Sequence, residues 1–307
     1  MQESAWVEEE ASSTQISQTI FPNFSVILPT YNEEQSIAAT LNHLQEHLKL
    51  VKCKYEIIVV NDGSTDHTAQ ILQSRNDIKA IGHSKNLGYG AALKTGIRHA
   101  RYTLIVITDA DGTYPNERIP DLIALTMQAD MVVGARIGTH VHYPTLRSIP
   151  KWFLVHFAQW ITRSRIPDLN SGLRVFRKST IKRFLGILPD TFSFTTTITL
   201  AMLTNNYIVH YEPINYHPRV GRSKIKPIRD TLRFIQLILR TGVYFAPLRI
   251  FLPIAGIFLA GFLITLFQDI VYRQDLTERT LILLVAATQL GMFALLADMI
   301  HKRSTKL

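Results

Sequence analysis

The sequence predicts an α/β protein with a doubly wound, mostly parallel sheet, followed by a hairpin of two membrane-spanning helices. From residue 24 onward, short apolar runs alternate with segments of helical periodicity, which is the order that builds a parallel sheet. These runs lack polar alternation, as in strands covered on both faces. Near the C-terminus, residues 250–267 and 280–297 contain no charged residue.

The predicted elements follow this alternation in order. Strands are expected at residues 24–29, 55–60, 78–81, 103–108 and 130–134. Helices are expected at about 33–50, from Ser64 or Thr65, and at about 88–100. Beyond residue 133 the pattern weakens: it predicts helices at 143–163 and 195–203, and strands at 172–176, 207–211 and 214–217.

The C-terminal apolar runs each approach the roughly 20 residues that a helix needs to cross a bilayer. Because each run is apolar all round and charged at both ends, a membrane hairpin is favoured over two buried core helices. Basic residues crowd residues 219–249 and follow the second run, whereas the connection is slightly acidic. This bias predicts an integral membrane protein with the α/β domain and both termini in the cytoplasm.

Five regions are predicted along the chain. Residues 1–23 form an acidic, disordered tail and residues 24–225 the α/β domain. Residues 226–249 form an amphipathic helix in the headgroup layer, with an ordinary surface helix as the alternative. Residues 250–299 form the hairpin and residues 300–307 a basic cytoplasmic tail. The single cysteine, Cys53, excludes an internal disulfide and fits a reducing compartment.

The net charge of +9 is typical of a protein that binds either a lipid bilayer or nucleic acid. The basic cluster abuts a membrane segment and no nucleic-acid motif accompanies it, so a lipid bilayer is the expected partner and nucleic acid is not. The sequence leaves the oligomeric state open, including a homo-oligomer.

Acid-containing turns follow the first, second and fourth predicted strands, at the sheet edge where ligands bind in this architecture. Asp109 and Asp111 are separated by one residue just past the fourth strand. Two carboxylates that close repel each other unless a cation lies between them. A hard divalent ion, Mg²⁺ or Mn²⁺, together with a diphosphate fits this pair. A helix cap with a turn residue is the alternative.

Two further strand ends carry candidate ligand-binding groups. Asp62 follows the second strand and is suited to accept a hydrogen bond from a base or a ribose hydroxyl. The run from Asn86 to Lys94 places Gly88 and Gly90 at a loop-to-helix junction, where exposed N–H groups suit a phosphate. It is not a dinucleotide fingerprint, since the third glycine is missing.

The ordered motifs resemble glycosyltransferase family 2, the inverting enzymes with a GT-A fold. The resemblance spans about residues 24–224 and looks strongest to the polyprenyl-phosphate branch, which carries a C-terminal membrane hairpin. The motifs are Pro29-Thr-Tyr-Asn-Glu33, Asn61-Asp-Gly-Ser-Thr-Asp66, Asn86-Leu-Gly88, Asp109-Ala-Asp111, Val133-Gly-Ala-Arg136, Asp168-Leu-Asn-Ser-Gly-Leu-Arg174 and Arg219-Val-Gly-Arg-Ser-Lys224.

The resemblance implies a role for each matching residue. It places the nucleoside at Pro29, Tyr31, Glu33 and Asp62. It places the metal and the diphosphate at Asp109 and Asp111, and the donor and acceptor phosphates at Arg136, Ser171, Arg219 and Lys224. Many relatives have Gln as a further metal ligand where this chain has Thr113, whose hydroxyl is then the candidate metal ligand, directly or through water.

The predicted reaction is inverting transfer of a hexose from a UDP- or GDP-sugar to a polyprenyl phosphate. A phosphomonoester is already an anion near neutral pH, with a second pKa of about 6. As an acceptor it therefore needs basic groups that offset repulsion from the donor diphosphate, more than it needs a general base. Arg136, Arg174, Arg219 and Lys224 are such groups, and Asp168 is a candidate base, orienting group or turn residue.

Three alternatives to this reaction stay open. One is transfer to another lipid or to a protein hydroxyl. Another is a processive polysaccharide synthase, which carries a Gln-x-x-Arg-Trp motif where this chain has Gln159 next to Trp160. The last is a membrane scaffold that binds the nucleotide-sugar without turnover.

Overall fold

The computed structural model describes residues 21–137, 148–217, 236, 239–240 and 242–304. Outside these residues lie most of the predicted N-terminal tail, Arg219, Lys224 and most of the predicted amphipathic helix. The described chain forms two compact units. Of the described residues, the first unit contains 21–137, 167–199 and 207–217, and the second contains 148–166, 200–206, 236, 239–240 and 242–304.

The first unit is built on a mixed sheet of seven strands. The strands are β1 (Phe24–Thr30), β2 (Tyr55–Asn61), β3 (Lys79–Gly82), β4 (Leu104–Ile107), β5 (Met131–Ala135), β6 (Arg174–Arg177) and β7 (Val209–Pro213). Their order is β3-β2-β1-β4-β6-β5-β7. All neighbouring pairs are parallel except those of β6, which runs antiparallel to both β4 and β5.

Helices connect these strands, as the alternation predicts. They are α1 (Ile37–Leu48), α2 (Thr68–Gln73), α3 (Tyr89–His99), α4 (Ile119–Leu125), α5 (Ser148–Thr162), α6 (Lys178–Phe184) and α7 (Phe194–Thr204). Every residue of β1 is buried, because the central strands are covered on both faces. On one face, Ile37, Leu41, Leu44 and Leu48 of α1 recur at helical spacing and are fully buried.

Two sequence-based expectations need correction. The predicted strand at residues 214–217 does not form: β7 ends at Pro213, and the backbone N–H of His217 donates to the Thr113 carbonyl at 2.9 Å. The helix predicted from Ser64 or Thr65 begins at Thr68, because the Ser64 hydroxyl and the Asp66 carboxylate accept hydrogen bonds from residues 32 and 34 instead.

The second unit contains the C-terminal hairpin of α8 (Pro247–Gln268) and α9 (Glu278–Ser304). Both helices are long and apolar enough to cross a membrane. In the most apolar stretch of each, only 11% and 17% of the stretch is buried within the protein. The two helices pack against each other, and the small residues Ala255, Ala287 and Ala294 are buried. At the connection, the Asp269 carboxylate accepts hydrogen bonds from the Thr277 backbone N–H and the Thr280 hydroxyl, which ties the end of α8 to the start of α9.

Candidate active site

The carboxyl ends of β1, β2 and β4 meet at one edge of the sheet, since these three strands are adjacent and parallel. The end of β5 lies at the same edge, because β4 and β5 both run antiparallel to β6. The antiparallel direction of β6 also brings the residues preceding it, 168–173, to this edge. Thus the motifs that the sequence places at separate strand ends lie along one edge.

Asp109 and Asp111 follow β4, and a hydroxyl orients each carboxylate. The Tyr89 hydroxyl donates to Asp109 Oδ1 at 2.9 Å, and the Thr113 hydroxyl donates to Asp111 Oδ1 at 2.6 Å. Burial, followed by the charge of Asp109, raises the pKa of Tyr89 well above its usual value, so Tyr89 stays a donor. The loop is anchored by the Thr40 hydroxyl, which donates to the Ala110 carbonyl at 3.1 Å.

The backbone of Gly172 lies so close to Asp109 that a side chain at position 172 has no space. A Cβ atom at Gly172 would lie 2.7 Å from Asp109 Oδ2. The N–H of Gly172 donates to the Tyr114 hydroxyl at 2.6 Å, and burial raises the pKa of that tyrosine. Gly172 therefore lets the segment before β6 approach the first carboxylate.

Arg136 and Asp168 form an ion pair through two hydrogen bonds. Arg136 follows β5 and Asp168 precedes β6, and β6 is the strand next to β4 in the sheet. Arg136 Nε lies 2.7 Å from Asp168 Oδ2 and Nη2 lies 2.9 Å from Oδ1. Burial opposes ionisation of Asp168, but the hydrogen bonds and charge of Arg136 hold its pKa below the usual value. The guanidinium also lies 5.2 Å from the centre of the Tyr216 ring. This geometry favours the orienting role for Asp168 over that of a base.

Two other predicted phosphate-site residues face into the protein. The Ser171 hydroxyl is fully buried and donates to the Gly134 carbonyl at 2.5 Å. Arg174 is also fully buried, and its guanidinium donates to the carbonyls of Leu169 and Ser171 and to the Thr199 hydroxyl. The expectation that Arg174 offsets phosphate charge is therefore wrong, because its donors hold the loop before β6.

The N–H groups at the start of α3 have protein acceptors. Leu87 and Gly88 donate to the two oxygens of Asp62 at 2.9 and 2.8 Å. Gly90 and Ala91 donate to the Asp190 carbonyl, and Cβ atoms at Gly88 or Gly90 would collide with the backbone of residues 189–190. This geometry does not support the predicted phosphate contact, because the glycines serve chain packing.

The remaining predicted donor residues are distributed as follows. Asp62 is buried and also contacts His83 Nδ1 at 2.7 Å, whereas Asn86 is exposed. Lys94 pairs with Asp190 at 2.7 Å. Pro29 is buried in β1, and Tyr31 and Glu33 are half-buried just beyond it.

The donor set at the carboxylate pair fits a hard divalent cation. It consists of carboxylate and hydroxyl oxygens, which Mg²⁺ and Mn²⁺ prefer. Sequence reasoning missed Tyr89, Tyr114, Gly172 and Tyr216. Tyr89 lies in the run from Asn86 to Lys94 and Gly172 lies in the motif from Asp168 to Arg174, so their positions were the available signal.

Comparison with known proteins decides the family. Residues 25–184 match "Glycosyl transferase family 2" and residues 246–302 match "GtrB C-terminal hairpin". The chain belongs to glycosyl transferase family 2. The transferase and its C-terminal hairpin match both parts of the resemblance found in the sequence, and the apolar hairpin indicates a membrane protein.

Curated relatives place the transferase in the polyprenyl-phosphate branch. It is 30% identical over 243 residues to the undecaprenyl-phosphate 4-deoxy-4-formamido-L-arabinose transferase of Pseudomonas fluorescens, covering 77% of this chain and 69% of that protein. It is 28% identical over 226 residues to a low-salt glycan biosynthesis hexosyltransferase of Haloferax volcanii, covering 72% of this chain and 54% of that one.

Solved structures confirm the GT-A fold class. Glucosyl-3-phosphoglycerate synthase from Mycobacterium tuberculosis, in complex with Mn²⁺, uridine diphosphate and phosphoglyceric acid, has a TM-score of 0.55 and 16% identity. The match covers 72% of this chain and 78% of that one. The same enzyme in complex with Mg²⁺ and uridine diphosphate matches equally well, with a TM-score of 0.55.

Proposed function

We propose that the transferase moves a hexose from a UDP- or GDP-sugar to a polyprenyl phosphate, with inversion at the anomeric carbon. The observation that carries this proposal is the pair Asp109 and Asp111, each with one oxygen fixed by a neighbouring hydroxyl. The names of the undecaprenyl-phosphate relatives support the acceptor, and the synthase complex with uridine diphosphate supports the donor class.

In the proposed donor site, Asp109 and Asp111 hold Mg²⁺ or Mn²⁺, and Thr113 orients Asp111 or contributes its own oxygen. When bound, such an ion stabilises the charge of the departing nucleoside diphosphate. Tyr31, Glu33 and Asp62 lie at the ends of β1 and β2 and would hold the nucleoside, with Pro29 shaping that end of the strand. For Asn86 and Lys94 the predicted donor contact stays a prediction.

In the proposed acceptor site, Arg136 binds the phosphate of the anionic acceptor. Asp168 accepts hydrogen bonds from Nε and Nη2 of this guanidinium, which fixes its orientation at the end of β5. Ser171 supports the same loop from within. Arg219 and Lys224 are predicted to add positive charge, and both lie outside the described residues. Together these cations offset the repulsion between two phosphate-bearing substrates.

Product analysis tests this proposal. Purified full-length protein in lipid nanodiscs with undecaprenyl phosphate is given a panel of labelled UDP- and GDP-sugars, and lipid products are extracted. We expect a lipid-linked monosaccharide whose anomeric configuration, read by NMR, is opposite to that of the donor. A polymer, or a sugar attached to a lipid alcohol or a protein, would overturn the acceptor assignment.

Substitution tests the carboxylate pair in the same assay. Asp111→Asn is expected to abolish transfer, and EDTA is expected to do the same to the wild type. Asp121→Asn removes a carboxylate that pairs with Arg118 at the surface of α4 and is the matched control. Transfer at the wild-type rate in Asp111→Asn or in EDTA would exclude the metal site.

The proposed orientation places the catalytic unit and both termini in the cytoplasm, following the excess of basic residues at that end of the hairpin. In a Cys53→Ser background, single cysteines are introduced by Asp275→Cys in the connection and by Ser304→Cys at the end of α9. A membrane-impermeant maleimide added to intact cells is expected to label position 275 alone. Labelling at position 304 alone would reverse the orientation.

A further inference from the structure

A cavity of about 760 Å³ lies within the second unit, between the end of α5 and the start of α8. It combines cationic, aromatic and apolar side chains in one place. The residues that matter for its chemistry are Gln159, Trp160, Arg163, Arg249, Leu252 and Pro253. All of these belong to the same compact unit.

Two guanidinium groups line this cavity, and no described acidic residue lines it. Like charges in one cavity repel each other unless an anion lies between them. Arg249 donates one hydrogen bond to the Ile161 carbonyl, which caps the end of α5. A guanidinium has five N–H donors, and among the described residues this carbonyl is the hydrogen-bond acceptor of the Arg249 side chain. Within the described chain, the Arg163 guanidinium makes no ion pair.

The cavity lies at the polar end of a membrane span. Arg249 is in the first turn of α8 and is followed by the uncharged run 250–267. Trp160 is 49% exposed and stacks on Phe157 with ring centres 5.8 Å apart. Half-exposed tryptophan beside arginine is typical of the headgroup layer. These positions place the cavity where lipid phosphates are found.

An apolar track continues from the cavity along α8. Leu252, Leu259 and Leu263 recur at helical spacing and are 55%, 46% and 55% exposed. Such a track suits acyl chains that start at the cavity and run parallel to the helix. The cavity therefore offers both parts that a phospholipid needs, a cationic end and an apolar side.

We propose that this cavity binds the headgroup phosphate of an anionic phospholipid, as a site separate from the sugar-transfer reaction. Arg163 and Arg249 bind the phosphate oxygens, since the planar fork of arginine matches phosphate geometry. Trp160 packs against the glycerol region, and Leu252 contacts the start of the acyl chains. This proposal rests on the membrane hairpin and stands whatever sugar or acceptor the transferase uses.

Tryptophan quenching tests the site on the full-length protein. Trp160 is kept as the sole tryptophan by Trp6→Phe and Trp152→Phe, and the protein is reconstituted in phosphatidylcholine nanodiscs. Brominated phosphatidylglycerol is expected to quench Trp160 at a lower mole fraction than brominated phosphatidylcholine does. Equal quenching by the two lipids would overturn the proposal.

Charge-matched variants separate the site from general basicity. Arg163→Gln leaves the Arg249 cap of α5 intact and is expected to weaken the phosphatidylglycerol preference by about 10-fold, because hydrogen bonds to charged groups are strong. Arg273→Gln with Arg279→Gln removes two exposed arginines at the other end of the hairpin and is expected to leave the preference unchanged. A preference that persists in Arg163→Gln would overturn the proposal.

A competition arm identifies the source of the phosphate. Undecaprenyl phosphate is added to nanodiscs that contain brominated phosphatidylglycerol, and quenching of Trp160 is followed. We expect little recovery at equal mole fractions. Full recovery would assign the cavity to the acceptor lipid and overturn the proposed phospholipid site.

Discussion

Arg136 and Asp168 are joined by two parallel hydrogen bonds, Nε to Oδ2 at 2.7 Å and Nη2 to Oδ1 at 2.9 Å. The Arg136 backbone N–H adds a third, to Oδ2 at 3.0 Å. Arg136 follows β5 and Asp168 precedes β6, so the pair ties two loops together at the sheet edge that carries Asp109 and Asp111. A residue held this way positions its partner, and the loss of either member changes both loops.

Asp168→Asn removes the charge and one acceptor oxygen, and leaves Arg136 without its counter-ion. Breaking a buried pair from one side costs about 3 to 5 kcal/mol, so we expect a lower thermal midpoint and a clear loss of kcat. Asp77→Asn breaks an ion pair with Arg75 at the surface and should cost less than about 1 kcal/mol. Differential scanning fluorimetry of both variants compares them. Equal midpoints would contradict a structural role for the pair.

The same pair predicts a pH dependence of stability. The folded-state pKa of Asp168 lies below its ordinary value of 3.8, so its ionised form stabilises the fold above that pH. This contribution is complete at neutral pH and is lost as the pH falls through 3.8 toward the folded pKa. The gap in thermal midpoint between wild type and Asp168→Asn is expected to be constant from pH 7 to 5 and to narrow below pH 4. A gap that widens on acidification would contradict the assignment.

The strands of the first half of the fold were predictable because each is a continuous apolar run. The direction of β6 was not, since its pairing with both β4 and β5 depends on contacts distant in sequence. That direction is what brings Asp168 and Gly172 to the edge that carries Asp109 and Asp111. Sequence reasoning reached Asp168 only through the family resemblance, and it missed the role of Gly172.

The candidate site also has residues that the sequence predicted correctly and residues that it did not. Asp109 and Asp111 were identifiable because paired acids after a buried strand have few structural explanations. Arg174 was misassigned since a motif shows a charge and not its direction, and here the guanidinium points into the loop. Gly88 and Gly90 were misread for a related reason: an absent side chain serves a ligand or a neighbouring backbone equally well, and here residues 189–190 fill the space.

Tyr89→Phe is predicted to weaken metal binding without unfolding the protein. The change removes the hydroxyl that donates to Asp109 but keeps the ring stacked on Phe192, with centres 5.0 Å apart. Residues that orient metal ligands contribute roughly 10- to 100-fold in affinity. Isothermal titration of Mn²⁺ in the presence of UDP measures the loss. Tyr102→Phe is the control, and similar Mn²⁺ affinity in the two variants would exclude the orienting role of Tyr89.

Thr113 gives a prediction that depends on its hydroxyl alone. Thr113→Val keeps the shape of the side chain but removes the hydrogen bond to Asp111 Oδ1, and is expected to weaken Mn²⁺ binding by about 10-fold. Thr113→Ser keeps the hydroxyl and should stay close to wild type. The Mn²⁺ affinities of the two variants, measured by the same titration, show whether metal binding requires the Thr113 hydroxyl. Wild-type affinity in Thr113→Val would show that Asp111 needs no such donor.

Gly172→Ala tests the close approach of the backbone to the first carboxylate. The added methyl group would lie 2.7 Å from Asp109 Oδ2 and 2.9 Å from Cγ, closer than van der Waals contact allows, so Asp109 must move. We expect a loss of Mn²⁺ affinity and of transfer, with a smaller change in thermal midpoint. Gly186→Ala is the matched control, because a Cβ atom there meets nothing within 4 Å. If both alanine variants bind Mn²⁺ like the wild type, the position of Asp109 does not depend on Gly172.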